Sequence, residues 1–305
     1  MKIAVIGSYG VGLSMRVPRM PDAGETLTGG TFEVGPGGKG SNQAIGAARL
    51  GADVRFLTAI GADDYGRAAR ELWADEGVDA SRVVELIDAP TMAGFIMVEP
   101  SGENRIAIAP GALDRLSESD VEAFRDEIAQ ADVVLVSMEI PMGAVVAALR
   151  IGRELGVTTI LNPAPAQPLP DDALKNVDII TPNQTEARVI LGTDDATTSD
   201  AEVAKAIADR VDAAVIMTRG SEGAIVIENG TMQEIAAVRA SHVVDTTGAG
   251  DAFNAALAVG VAERHTLADA AAFAARAGAF AVATDGVVPA LPRRQDLNLT
   301  NGESL

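Results

Sequence analysis

Short apolar runs alternate with helical patterns along most of the chain. Residues 2–6 and 54–59 read as strands, with the helical pattern 41–50 between them. Further strands are expected at 133–137, 158–161, 179–181 and 214–218. Each is separated from the next by a helical stretch such as 141–155 or 185–191. That alternation predicts an α/β fold: a doubly wound, mainly parallel sheet with helices on both faces.

Two segments break the rhythm. Residues 15–34 carry Pro18, Pro21 and Gly24, followed by short β-like stretches. Residues 91–109 read as two strands, 93–98 and 104–108, joined by the turn Glu99-Pro100-Ser101-Gly102-Glu103. The excursions can pair into a small second sheet, either a lid over a site or decoration alone. With no internal repeat, residues 1–305 form one domain, with the lid drawn from about 9–34 and 90–110. The tail after Pro292 is polar and expected to be loosely held.

Composition narrows the chemistry. Hydrophobic residues make up 48% of the 305, enough for a sizeable core, yet only 3% are aromatic, so small side chains must pack it. No Cys is present, which removes disulfides, thiolate nucleophiles and zinc–thiolate sites. The two histidines, His242 and His265, exclude a multi-histidine metal site. His242, beside Val243 and Val244, reads as a satisfied strand histidine; His265 reads as solvated at a helix end. A net charge of −19 repels phosphate backbones and disfavours nucleic acid. No apolar run approaches a membrane span, and the amino terminus reads as a buried strand rather than a signal peptide. The chain is therefore expected in the cytoplasm.

Three stretches carry chemistry. In Asp245-Thr246-Thr247-Gly248-Ala249-Gly250-Asp251 a strand is expected to end, small residues turn, and a helix runs to about Val261. A helix start offers free N–H groups to an anion, and Asp251 beside it can take a proton from an attacking hydroxyl. The plain alternative is a turn with a carboxylate at a helix amino end. Gly35-Pro36-Gly37-Gly38-Lys39-Gly40-Ser41-Asn42 opens another helix. It lacks the spacing and the Ser/Thr of a Walker loop; a structural glycine turn is possible, but the glycine N–H groups, Lys39 and Asn42 suit a polyol better. In Thr181-Pro182-Asn183-Gln184-Thr185-Glu186, Asn183 and Glu186 form a capping box or face phosphates and hold Mg²⁺ through water. The early Gly10-Val11-Gly12 lacks a third glycine, and Pro18 and Pro21 bar a following helix, so dinucleotide binding is rejected.

In this order and spacing the stretches make the chain resemble the ribokinase-like (PfkB) family of carbohydrate kinases. The resemblance runs through Gly24-Glu25-Thr26, Ile60-Gly61 to Asp64, Asn162-Pro163-Ala164-Pro165-Ala166 and Thr218-Arg219-Gly220-Ser221-Glu222-Gly223. It implies ATP- and Mg²⁺-dependent transfer of a γ-phosphoryl group to a sugar-type hydroxyl, and a homodimer formed through the lid. By position, Asp251 matches the base and Gly248, Ala249 and Gly250 the anion hole. Gly38, Lys39, Asn42 and Glu139 match the sugar contacts, while Asn183 and Glu186 match the metal and phosphate residues. Thr218, Gly220 and Gly223 fall where the nucleotide lies. A monovalent cation such as K⁺ is implied at Asp245, Thr247, Ala281, Thr284 and Gly286. The family usually reads Asn-x-Asp where this chain has Gly10 and Gly12. That departure leaves the acceptor open to a sugar, a nucleoside, a ketose or a sugar phosphate. A non-catalytic relative is disfavoured because Asp251 and Gly250 are intact.

Overall fold

The computed structural model describes residues 1–193, 195, 197–240 and 242–297. Its strands are β1 Lys2–Ile6, β2 Gly10–Arg16, β3 Thr31–Gly37, β4 Asp53–Leu57, β5 Ala59–Gly61, β6 Val78–Asp79, β7 Val84–Leu86 and β8 Ala93–Val98. They continue with β9 Asn104–Ala109, β10 Val133–Ser137, β11 Thr158–Asn162, β12 Ile179–Ile180, β13 Ala214–Thr218, β14 Ala224–Glu228 and β15 Thr231–Ile235. The main sheet has the order β15-β14-β13-β12-β11-β10-β1-β4-β6. Every pair from β13 to β6 is parallel, and β14 and β15 close one edge antiparallel.

Alternation along each strand feeds two cores. Ile3 and Val5 of β1, with Val133 and Leu135 of β10, enter the core beneath the helices Lys39–Arg49, Ala249–Ala262 and Leu267–Ala281. Ala4, Ile6, Val134 and Val136 enter the opposite core, under Met142–Leu155, Gln184–Leu191 and Asp200–Val211. Burial on both faces explains why the central strands are apolar throughout. The scarcity of aromatics has a packing reason: a Cβ on Gly46 would lie 2.8 Å from Ala255 Cβ, so two helices meet almost backbone to backbone.

The chain grows from β1 through β4 to β6 in one direction, then from β10 through β13 in the other. The strand order therefore reverses between β1 and β10, leaving a crevice at their carboxyl ends. Beside it lies the second sheet, β3-β2-β8-β9. Residues in register across it share a face: Val34, Leu13 and Phe95 form one row, and Phe32, Met15 and Met97 the next. Of these, Phe32, Val34, Phe95 and Met15 are exposed.

The structure corrects several expectations. The strand expected over 54–59 is broken at Thr58, whose carbonyl takes the Val84 amide, and Ala59–Gly61 pairs with β7 in a separate ribbon. Strand β3 extends through Gly37, so Gly35 and Gly37 belong to the small sheet and not to a free loop. The β14–β15 hairpin was not anticipated, although Asn229-Gly230 is a strong turn signal; both residues take positive φ. Val243 and Val244 are exposed and lie outside any strand, as does His242. The amides of Val244 and Asp245 bond the Val282 carbonyl at the end of the helix Leu267–Ala281 instead of a sheet partner. The tail is held as far as Leu297, which is buried, with Arg294 paired to Glu263; residues 298–305 lie outside the described residues.

Gly46→Val is expected to lower stability by about 1–3 kcal/mol through overpacking against Ala255. Chemical denaturation of variant and wild type checks it, an unchanged midpoint being the contrary result.

Candidate active site

The site is built from residues that follow consecutive parallel strands at their carboxyl ends. Ser8 follows β1, Glu139 follows β10, Asn162 ends β11, Thr181 and Asn183 follow β12, and Thr218 ends β13. At the reversal of strand order, Glu139 Oε2 accepts from Ser8 Oγ at 2.5 Å and from the Lys39 amide at 3.1 Å. Glu139 thereby holds the first residue of the helix Lys39–Arg49 over the end of β1. The approach is close: a Cβ on Gly38, which has φ of 93°, would lie 2.6 Å from Tyr9 Cα, and Gly40 packs directly on Gly7. Gly38 and Gly40 are thus required by backbone packing, the structural alternative to polyol binding for this stretch.

Opposite, Gly248 caps the helix Ala249–Ala262 with φ of 82°, and a Cβ on it would lie 2.5 Å from Val287 Cγ1. Asp251 stands in the first turn and is only 7% exposed. Its Oδ2 accepts from Asn42 Nδ2 at 2.8 Å and its Oδ1 from Gln43 Nε2 at 3.1 Å. Burial pushes its carboxyl above the usual carboxylate range. The Lys39 charge and the Asn42 and Gln43 donors oppose that rise, and the Glu139 charge adds to it. The Ala249 amide bonds the Thr246 carbonyl at 3.3 Å, so one of the amides expected to form an anion hole is engaged, whereas those of Gly250 and Asp251 bond no backbone carbonyl among the described residues. A Cβ on Gly250 would meet nothing within 4 Å, which leaves this turn open to a ligand.

Asn183 and Glu186 form the complete capping box: Glu186 N donates to Asn183 Oδ1 at 2.8 Å and Asn183 N to Glu186 Oε2 at 2.9 Å. The structural role therefore holds. Burial pushes the Glu186 carboxyl up; the Asn183 amide and the Lys39 charge oppose that rise and the Asp251 charge adds to it. Asn183 pairs across to Thr218, and the turn Gly220–Glu222 follows. Gly220 has φ of 55°, and Gly223 packs on the Ile235 carbonyl. The two segments expected to hold a monovalent cation, Asp245 with Thr247 and Ala281 with Thr284 and Gly286, are brought together on the Val282 carbonyl.

Sequence reasoning passed over Ser8, Gln43, Asn162, Thr181 and Asn254, all of them buried polar residues at this centre. A polar side chain inside an otherwise small or apolar helix face is the signal that Gln43 and Asn254 offered. Among the described residues no group of three or more His, Asp or Glu side chains converges to hold a metal ion, and no helix is long and apolar enough to cross a membrane.

Comparison with known proteins extends the likeness over nearly the whole chain. The family model described as pfkB family carbohydrate kinase matches residues 1–294. A ribokinase from Haemophilus influenzae is 37% identical over 295 residues, covering 96% of each chain. One from Staphylococcus aureus is 34% identical over 303 residues, 97% of this chain and 98% of the relative. The structure of Arabidopsis thaliana ribokinase complexed with ribose and ATP superposes with a TM-score of 0.90 at 30% identity, covering 97% of each chain.

A carboxyl whose folded pKa is raised contributes stability below its unfolded pKa and loses that contribution as pH rises through the folded one. The ionised Asp251 therefore costs stability at pH 8. Asp251→Asn should melt higher than wild type at pH 8, with the difference shrinking towards pH 5. The Asn42 amide can turn over to accept from the new side chain, since its Oδ1 has no partner among the described residues. Calorimetry at both pH values tests this, and a wild type that is the more stable at pH 8 contradicts it.

Proposed function

The chain belongs to the pfkB family of carbohydrate kinases, and from that premise we propose that it transfers the γ-phosphoryl group of ATP to a sugar hydroxyl with Asp251 as base. The observation that carries this reading is Asp251 itself. It is a buried carboxylate at a helix start, with each oxygen already fixed by an amide donor and each keeping lone pairs for a hydroxyl. The acceptor hydroxyl gives its proton to Asp251 as its oxygen bonds the γ-phosphorus. The bond from that phosphorus to the β–γ bridging oxygen breaks, and ADP leaves with the electron pair. The free amides of Gly250 and Asp251 and the Lys39 charge stabilise the transferring group.

Asn42 Oδ1 is buried and without a partner among the described residues. A sugar hydroxyl donating to it would remove that penalty, and Glu139 and the Gly38–Lys39 turn lie beside it in the fold. Thr218, Gly220 and Gly223 are proposed for the nucleotide.

The donor set fits Mg²⁺ in one way. Asn183 Oδ1 and Glu186 Oε2 are engaged in the capping box, so the ion would be held by ATP and water, with the second Glu186 oxygen as the outer contact. Bound there, it would neutralise phosphate charge. A monovalent cation such as K⁺ fits backbone carbonyls of the two turns that meet at Val282 and would add positive charge next to Gly248. ATP use accords with the cytoplasm. The exposed Phe32, Val34, Phe95 and Met15 face of the small sheet suits a homodimer in which this sheet also serves as the lid.

A ribose-type pentose is the first acceptor to test, because the similar proteins named above are ribokinases. One observation favours a different acceptor. Gly12 sits in register between Gly35 and Gly94, with no atom closer than 3.7 Å to a Cβ built on it. Three neighbouring strands thus offer no side chain to grip a hydroxyl along that row, and a bulkier nucleoside, ketose or sugar phosphate has room.

Asp251→Asn should lower kcat by roughly 10²–10⁴-fold while ATP binding persists. A coupled ADP assay over pentoses, ketohexoses, polyols and nucleosides, with nucleotide titration alongside, reads both outcomes. Turnover near wild type would exclude Asp251 as the base. For the assembly, Phe95→Asp should shift the sedimentation of a dimer to that of a monomer. If wild type already sediments as a monomer, the lid interface is wrong.

A further inference from the structure

Gln43 follows Asn42 in the helix Lys39–Arg49 and is fully buried. Its amide nitrogen directs one hydrogen to Asp251 Oδ1 at 3.1 Å and the other to Asn162 Oδ1 at 3.0 Å. The path continues from Asn162 Nδ2 to the Thr181 carbonyl at 3.5 Å. Thr181 Oγ1 then donates to Asn254 Oδ1 at 2.6 Å, and Asn254 Nδ2 to the Gly250 carbonyl at 2.8 Å. Gly250 is bonded to Asp251, so the path closes into a ring. Each of its side chains is more than nine-tenths buried.

The polarity of this ring is determined. A primary amide can be turned over unless a neighbour that only accepts, or only donates, fixes it. Two backbone carbonyls do so here. The Gly250 carbonyl requires the NH₂ of Asn254, which leaves Asn254 Oδ1 for the Thr181 hydroxyl. The Thr181 carbonyl requires the NH₂ of Asn162, which leaves Asn162 Oδ1 for Gln43. Gln43 must therefore present its NH₂, and the same nitrogen reaches Asp251. A reversed Gln43 would set its oxygen against Asn162 Oδ1 and a carboxylate at once. Gln43 Oε1, on the other side, has no partner among the described residues, so nothing pulls the amide round.

We infer that Gln43 is a positioning residue for the transfer, held donor-first by Asn162, which keeps the Asp251 carboxylate aimed and ready to accept a proton. The donors from Asn42 and Gln43 oppose the upward push that burial gives Asp251. The charged groups acting on Asp251 are Lys39 from the helix that carries Gln43, Glu139 after β10 and Glu186 from the helix Gln184–Leu191. None of them is altered in the test below.

The test is the pH profile of kcat/KM for the best acceptor at saturating ATP and Mg²⁺, with wild type, Gln43→Met, Asn162→Leu and the double variant compared. Gln43→Met keeps the volume and removes the donor. Its acid limb should move up by about one pH unit, with activity on that limb down about tenfold and recovering above it. The KM for ATP should stay within about twofold. Asn162→Leu should move the limb the same way, and its effect should vanish in the Gln43→Met background, because Asn162 acts through Gln43. A purely structural role predicts losses equal at every pH. An unmoved limb, or an Asn162→Leu effect that persists in full in the double variant, overturns the inference. Should Gln43→Met fail to fold, Asn162→Leu alone decides by whether the limb moves. The inference rests on Asp251 being the base, so Asp251→Asn is assayed in parallel. If that variant keeps turnover, the base reading falls. If it is inactive and the limbs coincide, only the role of Gln43 falls.

Discussion

The rest of the centre depends on keeping one carboxylate charge out of water. Asp251 lies at the start of an almost wholly buried helix, where an unpaired charge would cost several kcal/mol or would simply take up a proton. The protein meets this with donors on both oxygens, the positive end of a helix and the Lys39 charge. The opposition leaves the carboxyl above its ordinary range, which suits a base that must accept a proton from an alcohol and later release it. A carboxylate fully satisfied by the protein would be a poorer acceptor, and an unsupported one would be protonated before substrate arrived.

Those compensating groups need backbones at short range. The helix Lys39–Arg49 reaches Asp251 only because Gly38 and Gly40 let it lie on the end of β1, and because Gly46 lets it press against Ala255. Glu139 then ties its first amide to Ser8, across the reversal of strand order. The abundance of glycine and alanine and the shortage of aromatics thus serve the site as much as the core. Large side chains between these two helices would move Asn42 and Gln43 away from the carboxylate.

The capping box at Asn183 shows that a structural and a functional reading of one motif need not compete. Asn183 and Glu186 satisfy the amides of a helix start, and Glu186 still feels the charges of Lys39 and Asp251. The small sheet has the same dual character. One face is apolar and exposed, while the row through Gly12, Gly35 and Gly94 carries no side chain on three of the four strands.

Much of this was legible in the chain. The alternation of strands and helices, the small second sheet, the glycine-flanked Asp251 and the Asn183–Glu186 box all follow from local periodicity and spacing, since burial of one face imprints itself on neighbouring residues. The Asn229-Gly230 hairpin was legible too and was passed over. Val243-Val244 misled, because two β-branched residues look the same whether their amides bond a strand or, as here, the Val282 carbonyl at a helix end. The tertiary structure alone decided which side chains converge. Gln43 meets Asp251 across 208 residues and Ser8 meets Glu139 across 131, and no local pattern marks an amide or hydroxyl for such a partner. The sequence by itself determined the elements and singled out the carboxylate at the helix start, because hydrophobic periodicity and turn chemistry are short-range. The carboxylate's environment, and with it the direction of its proton affinity, was decided only when distant backbones were packed close enough to exclude water.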